Sequence, residues 1–254
     1  MNVLFIGDVV GQKTIAKLGK ALPRIKSSEG IELVIINGEN SADGNGITPH
    51  SAKMLFDCGV DVITTGNHAF RRKEADFVFE ERRDVLRPAN LGDDCPGTGV
   101  FTVDFGYGAL TVINLIGAVY MPLCDNPFKC VDALLLSIDA KSVIVDFHAE
   151  ATAEKKAMGI FLRGRVSAVL GTHTHVQTAD ERIFDGTAYI TDVGMTGAVD
   201  SIIGAEKNVI EKFTRYYPQK HFPAEGECEI NAVALEIDAS SGKAVSIKRI
   251  AQKI

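Results

Sequence analysis

Short apolar runs alternate with helical patterns along most of this chain, and that alternation restricts the fold more than any other feature. "NVLFI" (2–6), "ELVII" (32–36) and "DVIT" (61–64) read as buried strands. A helical stretch from Thr14 to Ser27 follows the first, with a kink expected at Pro23. "TPHSAKMLFDCG" follows the second, with Thr48 as its cap, Pro49 in its first turn and Gly59 as its stop. The charged "RRKEADFVFEERRD" reads as a third helix with a solvated face. Such alternation implies a parallel α/β sheet. After Val100 the texture changes to two strands joined by a turn at Gly106–Gly108. A helix near Phe128 to Ala140, the strand "SVIVDF", the helix "ATAEKKAMGIFLRG" and the strand "VSAVL" then restore it. Asp185–Gly186 marks a hairpin, and "CEINAVALEID" and "AVSIKRI" end the chain as strands. The expectation is roughly ten strands and five or six helices in one α/β domain over residues 1–254, with a mixed sheet or two packed sheets.

In parallel α/β architectures, ligands bind beyond the carboxyl ends of strands. Asp8 follows the first strand, Glu39 and Asn40 the second, and Asn67 and His68 the third. His148 follows "SVIVDF", and His173 and His175 follow "VSAVL". Five strand ends carry metal-binding groups, and they are expected to share one sheet edge. The donors are carboxylate oxygen, amide oxygen and imidazole nitrogen, without sulfur. They are too many for one transition metal and enough for two, with Glu39 free to bridge. Two ions about 3.5–4 Å apart activate a water while holding phosphoryl oxygens. The two-residue spacing in "GTHTH" is the repeat of a strand, which would point both imidazoles one way.

Plainer roles exist for each residue alone. Asp8 could cap a turn or helix, Asn40 and Asn67 are ordinary turn residues, and a lone His148 could be a core histidine bonded to backbone. Asp146 and Glu150 flank His148, either to orient imidazoles or as a plain surface or buried pair. His50 and His221 read as solvated, and Cys58 and Cys228 as small core residues. "GDVVGQKT" is not a phosphate loop, because Gln12 separates Gly11 from Lys13.

The net charge of −6 and the lack of a basic stripe argue against duplex nucleic acid as a partner. The longest apolar stretch, Ala109 to Leu123, is broken by Asn114 and Gly117, so no membrane span is expected. The five cysteines are odd in number and lack C-x-x-C spacing, against a disulfide framework or thiolate zinc site. The start has no basic leader and meets Asp8 early. A cytoplasmic location is the expectation.

The motifs "IGDVVG", "NGENSADGNGIT", "TGNHAF", "RPANL", "DFHAEAT", "GTHTHVQTAD" and "TDVGMTG" resemble the calcineurin-like metallophosphoesterases, in particular the bacterial YmdB-type phosphodiesterases, over nearly the whole chain. Two positions depart from the wider superfamily pattern. Val10 stands where D-x-H has histidine, and Glu39 where the bridging group is usually aspartate. The resemblance implies a four-layer sandwich, two mixed β-sheets face to face with helices outside, and a dinuclear metal site at strand C-terminal ends. It implies that Asp8, Glu39, Asn40 and His175 hold one ion, and Glu39, Asn67, His148 and His173 the other. His68 would stay unligated and act on the leaving group. Iron or manganese is implied, and zinc or cobalt also suits such ligands. The implied substrate is a small phosphodiester such as a 2′,3′-cyclic nucleotide, opened to the 3′-nucleotide by a metal-bridging hydroxide. No aromatic platform for a base is obvious, and Trp is absent. The rival readings are a broad phosphomonoesterase and a metal-bound regulatory or RNA-associated scaffold with weak activity. The long C-terminal strands offer an edge on which a homo-oligomer could form.

Overall fold

The computed structural model describes all residues except Gly44, Tyr216 and 218–221. His221, expected to be solvated, lies outside the described residues. The first half runs β1 (Asn2–Ile6), β2 (Asp8–Val9), α1 (Gln12–Glu29), β3 (Leu33–Asn37), α2 (Pro49–Asp57), β4 (Val62–Thr64) and α3 (Ala75–Glu81). Then come β5 (Val100–Asp104), β6 (Ala109–Ile116), α4 (Pro127–Ser137), β7 (Ser142–His148), α5 (Thr152–Phe161) and β8 (Ala168–Thr172). The chain closes with β9 (Arg182–Phe184), β10 (Thr187–Ile190), β11 (Met195–Ala198), α6 (Ile210–Thr214), β12 (Cys228–Ile237) and β13 (Ala244–Lys253).

The strands form two mixed sheets. One has seven strands in the order β2-β11-β12-β1-β3-β4, with β13 also paired to β12. The other has six, in the order β5-β6-β7-β8-β10-β9. Strands β1, β3 and β4 run parallel in the first sheet, as do β6, β7, β8 and β10 in the second. The expectation of one shared sheet edge is therefore corrected. Asp8, Glu39 and Asn67 follow or begin strands of the first sheet, and the three histidines end or follow strands of the second.

Period-two alternation explains how both faces of each sheet are buried. In β1, Leu4 and Ile6 meet Ile15, Leu18 and Leu22 of α1. Val3 and Phe5 of the same strand face Val112 of β6, Ile144 of β7 and Leu170 of β8 across the gap between sheets. Val143, Val145 and Phe147 of β7 face outward against Met158 of α5 and Val131 of α4. Three apolar layers thus separate helices, sheet, sheet and helices.

Local signals are used where they were read. Thr48 caps α2 in a capping box with Ser51 (3.0 and 3.2 Å), and Gly59 takes φ 94° beyond its end. Asp185 and Gly186, at φ 50° and 89°, turn β9 into β10. Pro23 lies inside α1, which continues through it to Glu29, and its side chain is exposed. The third helix is shorter than expected. Residues 71–74 stay in turns because the Arg72 guanidinium is drawn to the backbone, donating to the carbonyls of Asn45 (2.8 Å) and Asp43.

Phe5 is fully buried between the sheets. Phe5→Ala is expected to cost about 3–5 kcal/mol of unfolding free energy, read by urea denaturation.

Candidate metal centre

The ends of β1, β3 and β4 and of β7 and β8 meet at one end of the sandwich. There the structure brings together all eight residues singled out by sequence. Glu39 lies at the middle. Its Oε2 is 3.3 Å from His148 Nε2 and accepts from the His68 backbone N–H at 3.0 Å. Its Oε1 is 3.0 Å from His68 Nδ1 and 3.2 Å from Asn40 Nδ2. One group around it comprises Asn67, His148 and His173: His148 Nε2 is 2.9 Å from Asn67 Oδ1 and 3.1 Å from His173 Nδ1. The other comprises Asp8, Asn40 and His175: His175 Nε2 is 3.8 Å from Asp8 Oδ1 and 3.4 Å from Asn40 Nδ2. Among the described residues, ligand atoms of Glu39, His148 and His173 lie within 4.8 Å of one another.

Each imidazole is held from behind. His148 Nδ1 donates to Thr172 Oγ1 (2.9 Å), which donates to Asp146 Oδ1 (2.7 Å). His175 Nδ1 donates to the Ile203 carbonyl (2.8 Å), and His173 Nε2 meets Glu150 Oε2 (2.9 Å). These partners leave the other nitrogen of each ring facing the cluster, the usual arrangement behind metal-bound histidines. The backbone strains to reach it. His173 and His175 take φ 103° and 65°, a region that L-residues seldom occupy. Gly66 permits close approach from the other sheet, since a Cβ there would lie 2.3 Å from His148 Nε2.

The electrostatics call for positive charge. Lone pairs of Asn67, Glu39 and His173 converge on one imidazole nitrogen. Asp8 is fully buried, and among the described residues its Oδ1 has no hydrogen-bond partner. Burial pushes the Asp8 carboxyl up, while His175 and His148 pull it down. Burial also opposes ionisation of Glu39, but His148 and His68 hold it well below the ordinary range. Against its own burial, His148 is raised to about 9 by Glu39 and Asp8. His173 is lowered to about 3 by burial and by the neighbouring His148. A cation among these donors would satisfy the carboxylates and the converging lone pairs together, so the residues present fit the implied ions. Beside them opens a cavity of about 510 Å³, whose walls include His68, Arg71 and Glu150.

Comparison with known proteins identifies the family. A family model described as YmdB-like protein matches residues 4–250. The chain belongs to the YmdB-like family. It is 43% identical to a Bacillus subtilis 2′,3′-cyclic-nucleotide 2′-phosphodiesterase, over 98% of this chain and 96% of that one. It superposes on a hypothetical protein from Thermus thermophilus with TM-score 0.94 and 40% identity, covering 100% and 99% of the two chains. A crystal structure described as a novel phosphatase from Mycoplasma pneumoniae gives TM-score 0.94 at 34% identity, covering 100% and 93%.

This member of the YmdB-like family carries support that sequence reasoning missed. Lys155 of α5 and Asp192 are each 1% exposed and form an ion pair at 2.6 Å. The same Asp192 oxygen accepts from Thr174 N (3.0 Å) and Thr174 Oγ1 (2.7 Å). Its other oxygen accepts from Gly194 N at 2.8 Å. Thr174 stands between the two strained histidines, so this pair pins their turn. "TDVGMTG" held the signal for Asp192, but nothing local marks its partner. His50 is exposed as expected, Cys228 is buried, Cys58 is half-buried, and all five cysteines are free.

Lys155→Ala would leave Asp192 buried and uncompensated. It is expected to cost about 3–5 kcal/mol by chemical denaturation, and Lys155→Met with Asp192→Asn should recover part of that loss.

Proposed function

We propose that this chain, acting as one domain over residues 1–254 in the cytoplasm, is a dinuclear metal-dependent phosphodiesterase. Its substrates are small phosphodiesters, in particular 2′,3′-cyclic nucleotides opened to 3′-nucleotides. The observation that carries the proposal is the position of Glu39 between two donor groups beside one cavity. Asp8, Glu39, Asn40 and His175 would hold one ion, and Glu39, Asn67, His148 and His173 the other. Oxygen and nitrogen donors without sulfur suit iron or manganese, with zinc or cobalt as alternatives. Two such ions supply Lewis-acid activation of water and neutralise charge on the phosphoryl oxygens.

His68 has a different task. Its Nδ1–H faces Asn40 Oδ1 (2.9 Å) and Glu39 Oε1 (3.0 Å), so in the imidazolium form the second, transferable proton would sit at Nε2. The ring is partly exposed and lines the cavity. When the bond between phosphorus and the 2′-oxygen breaks, Nε2–H would protonate that oxygen, because a sugar alkoxide leaves poorly without a proton. The backbone N–H of His68 donates to Glu39, which ties the acid's position to the shared carboxylate. Glu150 and Thr172 keep His173 and His148 aimed, so the donor set needs little reorganisation on binding substrate.

His68→Ala is expected to lower kcat by about 10²–10⁴-fold on an alkyl leaving group and far less on nitrophenolate; equal losses would make His68 structural. Asp8→Ala and Glu39→Ala should each reduce the metal content of purified protein, measured by elemental analysis. Full retention of both ions would remove the proposed ligand set. Comparing turnover of 2′,3′-cyclic AMP with that of a phosphomonoester tests the substrate class.

A further inference from the structure

A hairpin and an aromatic ring at the cavity wall have no role in the chemistry above. Ile202 and Ala205 exchange two backbone hydrogen bonds of 2.9 Å around Ile203 and Gly204, whose φ values are 47° and 92°. Two positive φ values make this a type I′ turn, which favours Asn, Asp or Gly and disfavours a β-branched residue. Ile203 occupies it nonetheless, with its side chain 58% exposed, so burial does not offset the strain. Phe222 is held beside the hairpin: its carbonyl accepts from Glu206 N (3.0 Å), and Ala224 N donates to the Gly204 carbonyl (2.7 Å). Its ring is 51% exposed. Ile203 and Phe222 line the same cavity as His68, His173 and His175. The hairpin cannot drift from the site, because Gly204 packs on Val10, where a Cβ would lie 2.9 Å from Val10 Cγ1, and the Ile203 carbonyl holds His175.

Strained or exposed apolar groups that serve no core concentrate where ligands bind. We infer that Ile203 and Phe222 form a nucleobase subsite, an apolar wall against which the base of the nucleotide lies while its phosphate sits at the metal centre. This rests on the phosphodiesterase reading and names how that site selects a nucleoside. The cavity, at about 510 Å³, falls within the range of sites for small ligands. A flat apolar wall meets the π-face that all bases share, and stacking on one aromatic ring is a substantial part of nucleotide affinity.

The test is calorimetric titration of manganese-loaded protein with adenosine 3′-monophosphate and with inorganic phosphate. Wild-type protein is expected to bind the nucleotide more tightly than phosphate. Phe222→Ala should shrink that ratio at least about fivefold with phosphate affinity unchanged, and Phe222→Tyr should restore it. Ile203→Gly keeps the carbonyl and relieves the backbone, so its Tm should hold or rise while nucleotide affinity falls severalfold. A ratio unchanged in Phe222→Ala, a parallel loss of phosphate and nucleotide, or no nucleotide preference in wild type would overturn the inference. Turnover of 2′,3′-cyclic AMP by wild type is scored separately: its absence would sink the proposed reaction, and the calorimetric ratio would still decide the wall.

Discussion

The Asp146 carboxylate lies in the seam between the two sheets, wholly buried. It accepts from Thr64 Oγ1 (2.5 Å) and Asn37 Nδ2 (3.1 Å) of one sheet and from Thr172 Oγ1 (2.7 Å) of its own. An apolar interface between sheets is non-directional and tolerates some sliding, whereas a buried carboxylate with three donors specifies one alignment. Burial pushes this carboxyl up to about 6 although His148, Thr64 and Thr172 pull it down, so the donors are what keep the charge tolerable there. Asp146 and His148 are two residues apart in β7 and therefore face the same way. The contact that aligns the sheets thus also orients an imidazole, through Thr172. A second polar pin lies alongside, where the Asn114 side chain and the Thr65 backbone exchange bonds of 2.9 and 3.0 Å. It fixes the strand end from which Gly66, Asn67 and His68 project.

From that seam the site inherits its asymmetry. One half, His148, Asn67 and Glu39, is tied directly to the inter-sheet network through His148 and Thr172. The other, Asp8, Asn40 and His175, depends on the segment after β11, since the Ile203 carbonyl holds His175. His173 sits between them, its Nε2 on half-exposed Glu150 and its backbone N–H 3.2 Å from Asp8 Oδ2. A chain with net charge −6 would repel an anionic substrate at long range. The site answers locally, with the proposed cations and with Arg71 in the cavity wall.

Strand-end polar residues were legible in the sequence because short apolar runs with a polar terminus are a local signal. Capping by Thr48 and the turn at Asp185–Gly186 were legible for the same reason. The division of the strand ends between two sheets was not, since pairing between residues far apart leaves no periodic mark. Strands β2 and β11 were missed because two and four residues carry too little pattern. Lys155 was hidden because a lysine in "ATAEKKAMG" reads as a solvated helix face, and only its tertiary partner Asp192 explains its burial. Phe222 was overlooked as a platform because nothing local tells an aromatic in a loop facing a cavity from one facing solvent.

Val10, a departure from the wider superfamily pattern, lies where two parts of the site meet. A histidine at this position would aim a ring nitrogen at the first ion. Here the side chain is apolar and 7% exposed, and Gly204 rests on it. Asn40 is adjacent to the shared carboxylate, with its Nδ2 3.4 Å from His175 Nε2. Under the proposed ligand set the donor would come from Asn40 instead, and Val10 leaves an apolar footing on which the Ile202–Ala205 hairpin docks. That hairpin supplies the carbonyl behind His175, so the geometry of one proposed metal ligand and the shape of the apolar wall depend on the same packing contact.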